Sequence, residues 1–131
     1  MEISQFNVNI LSKLSKSKFR SSFHLNNKMK EYVHEKGMDK IRQDGIELLT
    51  KRLAPKEIPN DGKQTPMRQV HPIFIAQHAC ACCCRGCLEK WYHISKNKEL
   101  TKDEIDLIVD ILMEWIKREI EQIWFNHICF F

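Results

Sequence analysis

Leu100 to Trp124 reads LTKDEIDLIVDILMEWIKREIEQIW, and this stretch decides the fold class. Thr101 and Glu104 stand three residues apart, the spacing of a capping box, in which each side chain satisfies the other's backbone N–H at a helix start. Beyond them Ile105, Ile108, Leu112, Trp115, Ile116, Glu119 and Ile123 recur at helical spacing, with Glu119 the only polar member. A long amphipathic helix is expected over 102–124.

The same period runs through the first half of the chain. Phe6, Ile10, Leu11 and Leu14 mark one face of a short helix, and Phe19 and Phe23 follow as anchors in a turn. A second helix is expected over 27–35, capped by Asn26, with Met29, Tyr32 and Val33 inward and Gly37 as its stop. A third runs over 39–53 through Ile41, Ile46, Leu48, Leu49 and Leu53, closed by Pro55. Gly45 inside it costs about 1 kcal/mol relative to alanine, which points to a close packing contact there. Pro72 suits a helix start, and Ile73 to Ala76 are apolar enough to be buried on all sides. No segment alternates as a strand does, so the fold is expected to be all-α.

With 131 residues, 43% hydrophobic and 29% charged, the chain fits one domain, residues 1–131, that can build a core without covalent staples. Residues 54–70, APKEIPNDGKQTPMRQV, hold three of the four prolines and an Asn60-Asp61-Gly62 turn. A loop of that length is either a plain connection or a functional one, with Lys63, Gln64, Thr65 and Arg68 lining a site. The N-terminus lacks the continuous apolar stretch of a secretory signal, and no segment reaches the roughly 20 apolar residues of a membrane span. A cytoplasmic setting follows, where clustered thiols are more often metal ligands or reactive groups than disulfides.

Residues 77–93, QHACACCCRGCLEKWYH, place five of the six cysteines between Cys80 and Cys87. This Cys/His-rich turn is expected to end one helix and open the next, 84–92. Cys84 and Cys87 form a Cys-x-x-Cys pair, the half-site from which tetrahedral zinc sites are built, and His78 can fold back as a third ligand. Either Cys83 or His71 can supply the fourth. On one helix His71 and His78 would stand about 10.5 Å apart, too far to share an ion. The alternative is a small thiol enzyme or redox protein. Cys84 would be acidified at a helix N-terminus beside Arg85 and Lys90, with Cys87 as its partner and His78 as base. Cys80, Cys82 and Cys129 read instead as small buried side chains, and Trp91, Trp115 and Trp124 as core.

The segments KRLAP, NDGKQTPMR, HPIFIAQHA, CCRGCLEKW and the capping box together resemble DUF4186, a family of small bacterial and phage proteins of unknown function, over about residues 18–118. His78, Cys83, Cys84, Arg85, Gly86, Cys87, Leu88, Glu89, Lys90 and Trp91 match the family pattern. Cys80 and Cys82 stand where it has threonines, and Tyr92 and His93 where it has a histidine directly after the tryptophan. The resemblance favours Cys83 over His71, giving His78, Cys83, Cys84 and Cys87 as expected zinc ligands, and it implies no reaction.

Charge is uneven. Residues 1–72 carry 14 Lys and Arg against 8 Asp and Glu, and residues 73–131 carry 7 against 9. The basic half can be a solvated surface or can meet nucleic acid phosphates through Lys13, Lys16, Lys18, Arg20 and Arg68. The C-terminus, residues 122–131, gathers Trp124, Phe125, Ile128, Phe130 and Phe131; it is expected to pack on the domain or to form a homodimer contact.

Overall fold

A computed structural model of the chain describes residues 5–129, with side-chain surroundings described for residues 6–121. Among the described residues there are six α-helices, a 3-10 turn and no strand, so the protein is all-α. The elements are α1 (Gln5–Ser15), the 3-10 turn Arg20–Ser22, α2 (Asn27–Lys36), α3 (Met38–Arg52), α4 (Pro72–Ala79), α5 (Arg85–Tyr92) and α6 (Lys102–Cys129). Each helix contributes to one hydrophobic cluster, from Ile10 of α1 through Met29, Ile41, Ile73 and Leu88 to Ile105 of α6.

Local chemistry sets the ends of these helices. The capping box forms at α6: the Glu104 N–H donates to Thr101 Oγ1 at 3.1 Å and the Thr101 N–H to Glu104 Oε1 at 2.9 Å. Asn26 accepts from the Met29 N–H at 2.9 Å, and Gly37, at φ +85°, ends α2 and lets α3 begin at the next residue.

Helix α4 is the centre of the molecule. All eight of its residues are buried, and α2, α3, α6 and the 3-10 turn pack around it. Each large side chain buried there contributes about 1.5–3 kcal/mol, so this short helix anchors the layers on either side. Gly45 of α3 supplies the close approach expected of it, since a Cβ at that position would lie 2.9 Å from Ile73 Cδ1. His71 caps α4. Its Nδ1 accepts from the Ile73 N–H at 3.0 Å, which leaves Nε2–H to donate to Asp44 at 3.2 Å. Both ring nitrogens are thereby committed at the end of α4 remote from the cysteines.

Two residues expected to point inward are exposed, Phe6 and Phe19, the latter by 55%. Phe6 is 49% exposed, because the buried stripe of α1 runs through Ile10, Leu11 and Leu14 and leaves the first turn beside the ring of Tyr92. Glu119, the polar member of the α6 stripe, is buried for a reason of its own. Its oxygens accept from the Leu25 N–H at 2.9 Å and meet His24 Nδ1 at 3.1 Å, satisfying backbone where the chain leaves the 3-10 turn. The expectations for Trp124, Cys129 and the apolar segment 122–131 lie outside the described side chains.

Candidate metal centre

The cysteine turn starts from the way α4 ends. Ala81 takes a left-handed conformation, φ +57°, while the Cys82 N–H reaches back to the Gln77 carbonyl at 2.8 Å and the Cys80 N–H to Ala76 at 2.8 Å. This is a Schellman-type close with alanine where glycine is usual, and it reverses the chain. The reversed strand of residues is then pinned from two sides: Gln77 Nε2 donates to the Cys82 carbonyl at 3.0 Å and Thr65 Oγ1 to the Cys83 carbonyl at 2.8 Å. Cys84 follows as the N-cap of α5, its sulfur accepting the Cys87 N–H at 3.3 Å, the place where serine or aspartate usually sits.

The result brings three sulfurs together. The Sγ atoms of Cys83, Cys84 and Cys87 all lie within 4.8 Å of one another, and Cys83 and Cys87 are 3.7 Å apart. Two thiolates bound at about 2.3 Å to one tetrahedral ion stand about 3.8 Å apart, so this pair already has the edge length of a zinc site. The group can hold a metal ion.

A positive charge faces the sulfurs. Arg20, from the 3-10 turn, donates through Nη2 to Cys87 Sγ at 3.2 Å and through Nη1 to Cys83 Sγ at 3.5 Å and to the His78 carbonyl at 2.7 Å. The proton that Cys87 shares with Cys83, and then Arg20, pull the Cys83 thiol down to about 7 against the cost of burial. Cys87, keeping that proton beside a Cys83 thiolate, is pushed up. Physically the pair releases one proton easily and holds the second. Arg85 adds a fixed cation at the first turn of α5. It is 3% exposed and donates to the carbonyls of Leu53, Ala54, Pro55, Ser95 and Lys98, tying the end of α3 and the 93–100 connection to the cysteine turn.

The other expected residues separate clearly. His78 is buried, its Nε2–H donating to the Thr65 carbonyl at 2.9 Å and its ring stacked on Phe23, and it is not among the mutually close sulfur group. Cys80 and Cys82 are fully buried, and burial raises both thiols, Cys82 to about 12. His93 is exposed at the left-handed C-cap of α5. Within the 54–70 loop Thr65 is buried against Cys83 and His78, whereas Lys63 and Arg68 are exposed.

The model of the family described as a domain of unknown function, DUF4186, matches residues 8–117. The chain belongs to the DUF4186 family. No solved structure matches it.

In this DUF4186 domain two site residues escaped sequence reasoning. Arg20, assigned above to nucleic acid phosphates, points instead at the thiols, and nothing among the described residues is evidence of nucleic-acid binding. Asp61, read only as part of a turn, accepts from the Arg85 N–H at 3.0 Å and the Gly86 N–H at 3.2 Å and so clamps the loop onto the start of α5. The acidified thiol also differs from expectation: Cys84 is raised by burial, and by the nearby charges of Cys87 and Asp61, more than its hydrogen bond lowers it. It is Cys83, next to Arg20, that is lowered. The family match also begins earlier than the resemblance suggested, taking in most of α1. No helix among the described residues is long and apolar enough to cross a membrane.

Proposed function

We propose that this domain is a cytoplasmic, single-domain zinc-binding module. Cys83, Cys84 and Cys87 hold the ion as thiolates, and His78 is the fourth ligand. The observation that carries this is the convergence of three sulfurs within 4.8 Å with a 3.7 Å Cys83–Cys87 edge. The surrounding charge supports it. Three thiolates and one divalent ion leave a net negative charge, and Arg20 lies against two of the sulfurs to offset it. His78 has the right tautomer, since a carbonyl partner on Nε2 requires the proton there and leaves the Nδ1 lone pair available, the usual second-shell arrangement of a ligand histidine. Coordination through Nδ1 requires the ring to move toward the sulfurs. Bound there, zinc fastens the end of α4 to the start of α5 and so stabilises the surface formed by the loop.

The test is the metal content of protein purified without chelator, together with a count of reactive thiols. About one zinc per chain with Cys83, Cys84 and Cys87 protected is expected. Absence of metal together with one fast-reacting cysteine favours thiol chemistry, which the lowered Cys83 thiol beside Arg20 makes the second reading. The module acts by binding a partner. Nucleic acid, engaged through Lys13, Lys16, Lys18 and Arg68, is tested by salt-dependent binding at low ionic strength. A homodimer contact through residues 122–131 is tested by light scattering of the truncated chain.

A further inference from the structure

Within the sulfur group the geometry singles out one pair. Cys83 and Cys87 are hydrogen-bonded sulfur to sulfur at 3.7 Å, and Arg20 reaches both, Cys83 at 3.5 Å and Cys87 at 3.2 Å. Cys84 is engaged differently, as the N-cap of α5, its sulfur accepting from the Cys87 N–H at 3.3 Å. We propose that the centre is a peroxide-sensitive switch, in which hydrogen peroxide closes a Cys83–Cys87 disulfide and expels the ion. This inference rests on the zinc reading and adds regulation to it.

With zinc bound all three sulfurs are thiolates, so exposure decides which of them meets the oxidant. Cys83 is 7% exposed, whereas Cys84 and Cys87 are half-buried, and of those two it is Cys87 that is hydrogen-bonded to Cys83. The Cys87 thiolate attacks one peroxide oxygen: an S–O bond forms, the O–O bond breaks and hydroxide leaves, giving a sulfenic acid. Arg20 Nη2, 3.2 Å from that sulfur, is placed to donate to the departing oxygen. The Cys83 thiolate then attacks the sulfenic sulfur, the S–S bond forms and a second hydroxide leaves. The two sulfurs together lose two electrons, the peroxide gains them, and each hydroxide takes a proton from solvent to become water. A neutral disulfide is no longer a pair of thiolate ligands, so the ion keeps only Cys84 and His78 and departs hydrated. Cys80 and Cys82, fully buried, stay outside this chemistry.

The two states fasten different parts of the domain. Zinc ties His78 at the end of α4 to the sulfurs at the start of α5, whereas the disulfide joins Cys83 to Cys87 within one turn and leaves His78 out. A cross-link over so short a loop constrains little of the unfolded chain, so oxidation loosens the junction of α4 and α5. The 54–70 loop stays attached through Thr65 on the Cys83 carbonyl and Asp61 on the Arg85 and Gly86 N–H groups. A dithiol reverses the bond by thiol–disulfide exchange, being oxidised to its own disulfide.

The test treats zinc-loaded full-length protein, its metal content measured first, with hydrogen peroxide while a chromogenic chelator follows released zinc. Tryptic cleavage after Arg85 separates Cys83 from Cys87, so peptide mass spectrometry with fragmentation reads the disulfide directly. About one zinc released per chain and a Cys83–Cys87 disulfide are expected, with metal and melting temperature both restored by dithiothreitol and zinc. Cys82→Ala should release zinc at an unchanged rate. A chain that holds no zinc before peroxide overturns the zinc reading, and the switch with it. A zinc-loaded chain that keeps its metal overturns the switch alone, as does release through a Cys84–Cys87 disulfide or through sulfinic acid without any disulfide. Slowed release in Cys82→Ala also overturns it, since a buried thiol would then take part.

Discussion

Arg20 Nη2 lies 3.2 Å from Cys87 Sγ, across 67 residues of sequence, and the same guanidinium reaches Cys83 Sγ at 3.5 Å. A cation held against two sulfurs is what an anionic thiolate cluster requires, whether a metal is bound or not. In the metal-free domain the Cys87 hydrogen bond, and after it this guanidinium, lower the Cys83 thiol to about 7 and make it the reactive one. Arg20→Gln removes a contribution that lowers this value, so the titration moves upward and less thiolate is present at neutral pH. The pH profile of iodoacetamide alkylation, on chelator-treated protein with its helicity checked by circular dichroism, should shift to higher pH in the variant. An unshifted profile would mean that Arg20 does not act on the thiols.

Cys87 and Cys82 should behave differently although they are five residues apart. Cys87→Ser removes one of three converging sulfurs, so metal is lost and with it the part of the folding free energy that metal binding supplies. Cys82→Ala leaves the sulfur group whole and removes one buried sulfur, a cost of about 1 kcal/mol with metal content unchanged. Metal analysis alongside melting curves distinguishes the two, and equal metal content in both would remove Cys87 from the ligand set.

Asp61 is predicted to stabilise the loop and α5 together. Burial works against its charge, but hydrogen bonds from Gln64 and the Arg85 and Gly86 N–H groups outweigh it and hold the carboxyl below its ordinary value. A depressed carboxyl contributes stability that is complete above the unfolded value near 3.8 and is lost as pH falls through the lower folded value. Asp61→Ala should therefore cost about 0.5–2 kcal/mol at neutral pH, the range for a lost cap, and the gap should narrow in acid as the carboxyl is protonated. Denaturant melts at several pH values would reveal a pH-independent gap if the charge plays no part.

Gly45→Ala sets two effects against each other. Alanine gains about 1 kcal/mol of helix propensity, whereas its Cβ would stand 2.9 Å from Cδ1 of the fully buried Ile73 in the first turn of α4. Overpacking of this kind costs about 1–3 kcal/mol, so net destabilisation is expected, and Gly45→Val should be worse. A more stable Gly45→Ala protein would show that Ile73 has room to move.

The helices were legible because their causes are local. Thr101 and Glu104 meet across one turn, Asn26 caps the residue three ahead of it, and Pro72 and Gly37 act through their own backbone. The cysteine site was legible to the same extent. Cys84 and Cys87 share a helical turn, and Cys83 needs only the reversal at Ala81 to join them. Arg20 and Asp61 carried no such signal, because they reach the Cys83 sulfur and the Arg85 N–H across 63 and 24 residues, and Thr65, marked only as one of four loop candidates, reaches the Cys83 carbonyl across 18, all through the packing of the 3-10 turn and the loop. The same separation explains why the lowered thiol was assigned to Cys84. A helix N-terminus can be read from sequence, but the guanidinium that favours Cys83 arrives from the other end of the chain.

X-ray absorption at the zinc edge of the purified protein tests the central claim most directly, since it counts the atoms around the ion. The account predicts three sulfurs at about 2.3 Å and one lighter ligand at about 2.0–2.1 Å. A shell of oxygen and nitrogen alone, or one with fewer than three sulfurs, would contradict it.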